Sequence, residues 1–139
     1  MIIRNREKNF IRFIEKHFGI SIPSAVQIFY AKGIRIGNHD IMKSTIHGEL
    51  GYAASDFGFN PTNAFIQNFG HLASKNIFDT SDEQAKFFAS GKGIPADLGK
   101  TKKYLVVRYG KHTLGLGFYE PGQKKIICKI PEKRRREIV

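Results

Sequence analysis

The chain has 139 residues, of which 41% are hydrophobic and twelve are phenylalanine, so it can bury a core as one domain or two small ones. Its 23 Lys and Arg exceed its 12 Asp and Glu, and the formal net charge of +11 favours polyanionic partners. No apolar run approaches a membrane span or a signal-peptide core, and a single cysteine excludes an internal disulfide and a thiolate zinc cluster. We therefore expect a cytoplasmic protein that makes no membrane contact.

The first elements are predicted to be an amphipathic helix and a hairpin. Five apolar residues recur near helical spacing before Gly19, which is a natural helix end. These residues are Ile3, Phe10, Ile11, Ile14 and Phe18. Apolar runs at residues 25–30 and 34–36 then predict two strands joined by a turn at Lys32-Gly33. Residues 40–46 predict a short helix.

Two further helices with a short strand between them are predicted from residue 60 onward. After Pro61-Thr62, one apolar helix face is formed by Phe65, Ile66, Phe69, Leu72 and Ala73. Ser81 and Gln84 have the spacing of a capping box, and Gly91 ends the helix that follows. Residues 76–78 fit a single strand.

The last forty residues carry most of the excess charge. Residues 100–139 contain twelve basic and three acidic side chains, a net +9, whereas residues 1–99 are only +2. The runs 104–109, 114–119 and 126–128 are β-prone and separated by Gly-containing turns, which predicts hairpin-linked strands. Because the basic residues flank these strands, they should lie at the rim of an ordered sheet. The predicted fold class is α+β.

The order of these elements resembles a PUA domain, the small RNA-binding pseudo-β-barrel. A helix at 82–90 precedes Gly91-Lys92-Gly93-Ile94-Pro95, and a later strand reads Leu114-Gly115-Leu116-Gly117-Phe118. Residues 104–110 and 130–135 are similar to the C-terminal RNA-binding region of the Nop/Sun type RNA cytosine methyltransferases.

The first half of the chain is similar to the pre-PUA region of the Nip-type ribosome-biogenesis proteins. The similar segments are Phe57-Gly58-Phe59-Asn60-Pro61-Thr62, Leu72-Ala73 and the helix around residues 13–16. The two resemblances together imply a pre-PUA-like α/β domain over residues 1–74 and a PUA-like barrel over residues 75–139.

Charge and resemblance together predict a non-catalytic RNA-binding protein. The resemblance implies structured rRNA or tRNA as the ligand, in RNA modification or ribosome assembly. Basic side chains would contact phosphates, and Tyr109 or Tyr119 would stack on bases unless they are half-buried sheet residues. The predicted RNA-binding residues are Gly91, Lys92, Gly93, Lys100, Lys102, Lys103, Arg108, Tyr109, Lys124, Lys125, Lys129, Arg134, Arg135 and Arg136.

Catalysis has little support in the sequence, and we expect no cofactor and no metal. The chain is too short to add a Rossmann-type methyltransferase domain, and it lacks a nucleotide-binding glycine turn. Cys128, between Ile127 and Lys129, is interpreted as a packed strand cysteine, and Gly115 and Gly117 as bends of a small barrel. The cluster His39, Asp40, His47 and Glu49 has no metal-ligand spacing.

Three alternatives remain open at this point. The chain could be a subunit that docks on an RNA methyltransferase or assembly factor through residues 1–74. It could be a small RNA-modifying enzyme that depends on Cys128. Finally, its basic residues could serve only solubility, or form a terminal localisation or membrane-surface signal.

Overall fold

The computed structural model describes residues 5–23, 26–30, 34–38, 52–53 and 60–132. Within these ranges helices combine with two sheets, one of them curled into a half-barrel, so the fold is α+β as predicted. In chain order the elements are α1 (Asn5–Phe18), β1 (Val26–Tyr30), β2 (Ile34–Asn38), β3 (Tyr52–Ala53), α2 (Asn63–Phe69), a 3₁₀ turn (Gly70–Leu72), β4 (Ile77–Asp79), α3 (Asp82–Ala89), β5 (Ile94–Pro95), β6 (Lys103–Tyr109), β7 (His112–Glu120) and β8 (Lys125–Cys128).

The first sheet contains the predicted hairpin. Strands β1 and β2 pair antiparallel with Tyr30 opposite Ile34, and β3 joins the other edge of β2. Helix α1 contacts β1 and β2, and α2 contacts β3. The predicted turn at Lys32-Gly33, the predicted helix at 40–46 and the cluster from His39 to Glu49 lie outside the described residues.

The second sheet has the strand order β4-β6-β7-β8-β5. Strand β4 is parallel to β6, and the other neighbours are antiparallel. The three basic strands predicted from the sequence are its centre. The last two residues of the Gly91–Pro95 segment form β5: Ile94 and Pro95 pair with β8 at the sheet edge, where a proline is tolerated.

The two faces of this sheet pack against different helices. Successive residues of a strand point to opposite faces, so β6 sends Val106 to one side and Leu105 and Val107 to the other. Val106 and Leu116 share a cluster with apolar residues of α1 and α2, and we call this side the α1 face. Leu105 and Val107 share the second cluster with α3, and we call that side the α3 face. The domain boundary at residue 74 stays a prediction, although elements before and after it share one core.

Local signals explain where the helices end. Gly19 has φ 69°, and a Cβ there would overlap the Ser74 hydroxyl, so glycine is required after α1. Helix α3 has the predicted capping box, in which Ser81 and Gln84 exchange side-chain to backbone hydrogen bonds. The apolar face predicted for α2 is buried except at Leu72, which lies in the 3₁₀ turn with 39% of its surface exposed.

Candidate nucleic-acid interface

Two of the predicted basic residues lie in one transverse row at an end of the second sheet. Glu120 of β7 is opposite Lys125 of β8, and on its other side Lys102 Nζ lies 3.6 Å from Glu120 Oε2. Neighbouring strands are about 4.8 Å apart, so the backbones of Lys102 and Lys125 are about 10 Å apart. One carboxylate therefore stands between two lysines at this end.

The alternation of side chains divides the lysines between the two faces. Lys103 is opposite Tyr119, which belongs to the α3-face core, so Lys103 points to that side. Lys102 and Lys125 are one residue out of phase and point to the α1 face. Lys129 shares their phase, and its Nζ lies 5.8 Å from the centre of the Phe118 ring. We call Lys102, Lys125 and Lys129 the lysine face.

The glycine loop after α3 contacts the lysine face at one point. A Cβ on Gly93 would overlap the side chain of Lys125, so the stem of that lysine packs directly on Gly93. Gly91, with φ 91°, ends α3 as predicted. Lys92 is exposed on the α3 side, where its Nζ lies 5.6 Å from the centre of the Phe87 ring.

A buried tyrosine anchors the loop that leads into β6. The Tyr119 hydroxyl donates to the Gly99 carbonyl at 3.0 Å and accepts from the Leu98 amide at 2.9 Å. Lys100 and Lys102 follow this anchor directly. The interpretation of Tyr119 as an exposed stacking residue is wrong, because none of its surface is accessible. Lys124 is the last residue of the turn before β8, and its Nζ lies 3.9 Å from Asp97 Oδ2.

Arg108 lies toward the opposite end of β6, about 17 Å along the strand from Lys103. Its Nη2 donates to the carbonyls of Gly70 and Ala73, the latter at 3.2 Å. The half-buried guanidinium thus ties the 3₁₀ turn to the sheet. The contact of Arg108 with phosphate stays a prediction, beside this structural role.

Tyr109 also lies at the far end of β6, with 40% of its surface exposed. Its hydroxyl donates to Asp82 Oδ1 at 3.2 Å, and Lys86 Nζ lies 3.1 Å from Asp82 Oδ2. The hydrogen bond and charge of Lys86, and then the Tyr109 bond, lower the pKa of Asp82. Tyr109 is therefore not beside the lysine face. The predicted residues Arg134, Arg135 and Arg136 lie outside the described residues.

Two aromatic residues that sequence reasoning missed lie next to the lysine face. Tyr104 and Phe118 are opposite each other on β6 and β7, with ring centres 5.0 Å apart, and both are half-buried. Strand alternation could have found them, since they are out of phase with the buried Leu105 and Tyr119. His17 of α1 borders the pair, its Nε2 lying 2.8 Å from the Tyr104 carbonyl.

The remaining candidates have packing explanations. A Cβ on Gly117 would come within 2.8 Å of Ile126 Cγ2, and one on Gly115 would overlap Asn63 and Ile130, so both glycines allow close packing. Cys128 packs against the α3-face core and its Sγ donates to the Phe88 carbonyl at 3.3 Å, as a packed strand cysteine should. Among the described residues, no group of three or more His, Cys, Asp or Glu could hold a metal ion.

Comparison with known proteins assigns no family to the chain. No protein-family model matches it, and a search of curated proteins returns no significant match. Within the ranges that the structure describes, no helix has the length and apolar character needed to cross a membrane.

Proposed function

We propose that the protein binds RNA, without catalysing a reaction on it, through the lysine face of the second sheet. The observation that carries this proposal is the convergence of Lys102, Lys125 and Lys129 on one side of an ordered sheet. Because the sheet already fixes the backbone positions of these lysines, contact with phosphates requires ordering of their side chains only. Glu120 offsets part of this charge, and the overall net charge of +11 adds long-range attraction for a polyanion.

We also propose a fold family for the two parts of the chain and a biological setting for RNA binding. A helix with a glycine end, an adjoining glycine-rich segment and a curled five-stranded sheet support a PUA-like domain over residues 75–139. Residues 1–74 are proposed as its pre-PUA-like partner. Structured rRNA or tRNA is the proposed ligand, in RNA modification or ribosome assembly. An RNA methyltransferase or an assembly factor is the proposed protein partner, and the cytoplasm is the proposed compartment.

An equilibrium titration with labelled tRNA at several salt concentrations tests RNA binding. If about five phosphates are neutralised, the logarithm of the association constant should fall with the logarithm of salt concentration with a slope of about −4. Fluorescence anisotropy between about 50 and 200 mM salt covers the range in which such affinities change by orders of magnitude. No binding at the lowest salt, or an affinity that ignores salt, would falsify the proposal.

A pair of charge-matched substitutions locates the surface. Lys125→Gln removes a cation from the lysine face, and Lys111→Gln removes one from the β6–β7 turn at the other end of the sheet. We expect Lys125→Gln to reduce the salt slope by about 1, because one phosphate contact is lost, and Lys111→Gln to leave it unchanged. Equal losses from the two substitutions would place the RNA elsewhere.

A further inference from the structure

Within the part of the chain that the structure describes, helices cover only part of the α1 face of the second sheet. Val106 and Leu116 lie beneath α1 and α2 within the first core cluster. The next row of residues on this face, toward the end of the sheet that contains Lys102 and Lys125, consists of Tyr104, Phe118 and Ile127, all half-buried. Tyr104 packs at the border of the first cluster, whereas Phe118 and Ile127 belong to neither cluster. We call Tyr104, Phe118 and Ile127 the aromatic strip.

Cations border the aromatic strip on two sides. On β8, Lys125 and Lys129 lie two residues before and after Ile127, which places each of them about 7 Å along the strand from it. Lys102 lies in the same row as Lys125, and Lys129 Nζ is 5.8 Å from the centre of the Phe118 ring. The strip thus combines an apolar surface, in which the Tyr104 and Phe118 rings meet at 62°, with two lysines at one end and the Lys129 ammonium over the Phe118 ring.

This combination fits one chemical class of ligand better than others. Protein interfaces are depleted in lysine at their centres and bury broader apolar areas. An unpaired nucleotide, in contrast, presents a flat base that stacks on aromatic rings and a phosphate that contacts a neighbouring cation. Bases within a duplex have both faces stacked on neighbouring bases, so a duplex offers no face to Phe118.

We propose that the aromatic strip stacks unpaired RNA bases, with Lys125 and Lys129 contacting the adjacent phosphates. The inference depends on the proposed RNA binding and narrows its ligand to single-stranded or looped segments. Phe118 is the central stacking residue, because it lies between Tyr104 and Ile127 in the row. Removal of its ring should weaken binding of single-stranded RNA about tenfold, within the range measured for base stacking on aromatic side chains.

The test uses the full chain and two RNA probes with the same sequence. One probe is a single strand that contains 2-aminopurine, and the other is that strand annealed to its complement. We expect the single strand to bind more tightly than the duplex, with quenching of 2-aminopurine on binding. Phe118→Leu should weaken the single strand about tenfold, leave duplex binding unchanged and keep the salt slope, since no phosphate contact is lost.

Two control variants separate stacking from a folding defect. Phe118→Tyr keeps the ring and should bind within about twofold of the parent chain, because stacking is retained. Phe87→Leu removes an aromatic side chain that is 40% exposed on α3, and it should leave single-strand affinity unchanged. Quenching of 2-aminopurine by the parent chain tests the inference even if Phe118→Leu fails to fold.

The results also separate this inference from the proposed RNA binding. If neither probe binds the parent chain, RNA binding itself is refuted. If both bind equally and Phe118→Leu changes neither, RNA binding stands and stacking on the strip is overturned. Two further results would overturn the inference. If Phe87→Leu lowers the affinity for the single strand and Phe118→Leu does not, the bases stack on α3 and not on the aromatic strip. If the parent chain self-associates and Phe118→Leu abolishes this, the strip binds a second copy of the chain.

Discussion

Replacement of Tyr119 by Phe should destabilise the protein by about 2 kcal/mol. The substitution removes one buried oxygen that makes two hydrogen bonds, at 2.9 Å from the Leu98 amide and 3.0 Å to the Gly99 carbonyl. Each such bond contributes roughly 1 kcal/mol net, and a buried backbone group that loses its partner costs roughly 1–3 kcal/mol. The ring itself stays in place, so no large cavity adds to the loss.

Urea unfolding followed by circular dichroism measures this effect. With a slope of about 2 kcal/mol per molar urea, the midpoint should fall by about 1 M without a change in slope. Tyr109→Phe is the matched control, since its hydroxyl bonds an exposed carboxylate and its loss should cost less than about 0.5 kcal/mol. A Tyr119→Phe midpoint within about 0.25 M of the parent chain would refute the assignment of a stabilising anchor. Faster hydrogen exchange at Leu98 should accompany the loss.

Three other substitutions test the packing of the sheet and of the helix termini. Gly117→Ala should cost about 1–3 kcal/mol, because the new Cβ meets Ile126 Cγ2 at 2.8 Å, whereas Gly122→Ala meets nothing closer than 3.5 Å and should be tolerated; equal urea midpoints would contradict this. Asn63→Ala should cost about 2 kcal/mol, since its buried Oδ1 accepts a 2.9 Å hydrogen bond from a β7 amide, and calorimetry measures the loss. Ser81→Ala should cost about 1 kcal/mol through loss of the capping box, seen as a lower thermal midpoint; an unchanged midpoint would show that the cap contributes nothing.

Elements with a local signal were predictable from the sequence. The spacing of Phe10, Ile14 and Phe18 has the period of a helix, and all three are buried in α1. The predicted capping box depends only on two residues three apart, Ser81 and Gln84, and it is confirmed at the start of α3. The three basic strands were found from β-prone runs between glycine turns. Their pairing order, with β5 added at one edge, depends on contacts between distant residues that composition does not encode.

The candidate site was harder to predict because it depends on which face each residue occupies. Arg108 looked like the other basic residues, yet a sheet bulge beside it and the nearby 3₁₀ turn give its guanidinium two carbonyl acceptors. Tyr119 looked like a stacking residue, yet its phase in β7 places it in the core. Lys92 and Lys125 are both predicted RNA-binding residues, but they lie on different sides of the sheet.

The stability of the α3-face core and the placement of the half-buried Phe118 on the α1 face are physically linked in this sheet. Phe118 and Tyr119 are adjacent in β7, and a one-residue shift in register would exchange their faces. The register is fixed where the buried Tyr119 hydroxyl meets the loop at Leu98 and Gly99, a geometry that no shifted pairing would keep. The same hydrogen bonds that stabilise the α3-face core therefore hold Phe118 on the opposite face beside Lys129. Loss of the Tyr119 anchor should thus weaken a Phe118-dependent RNA contact even though Tyr119 itself cannot touch the RNA.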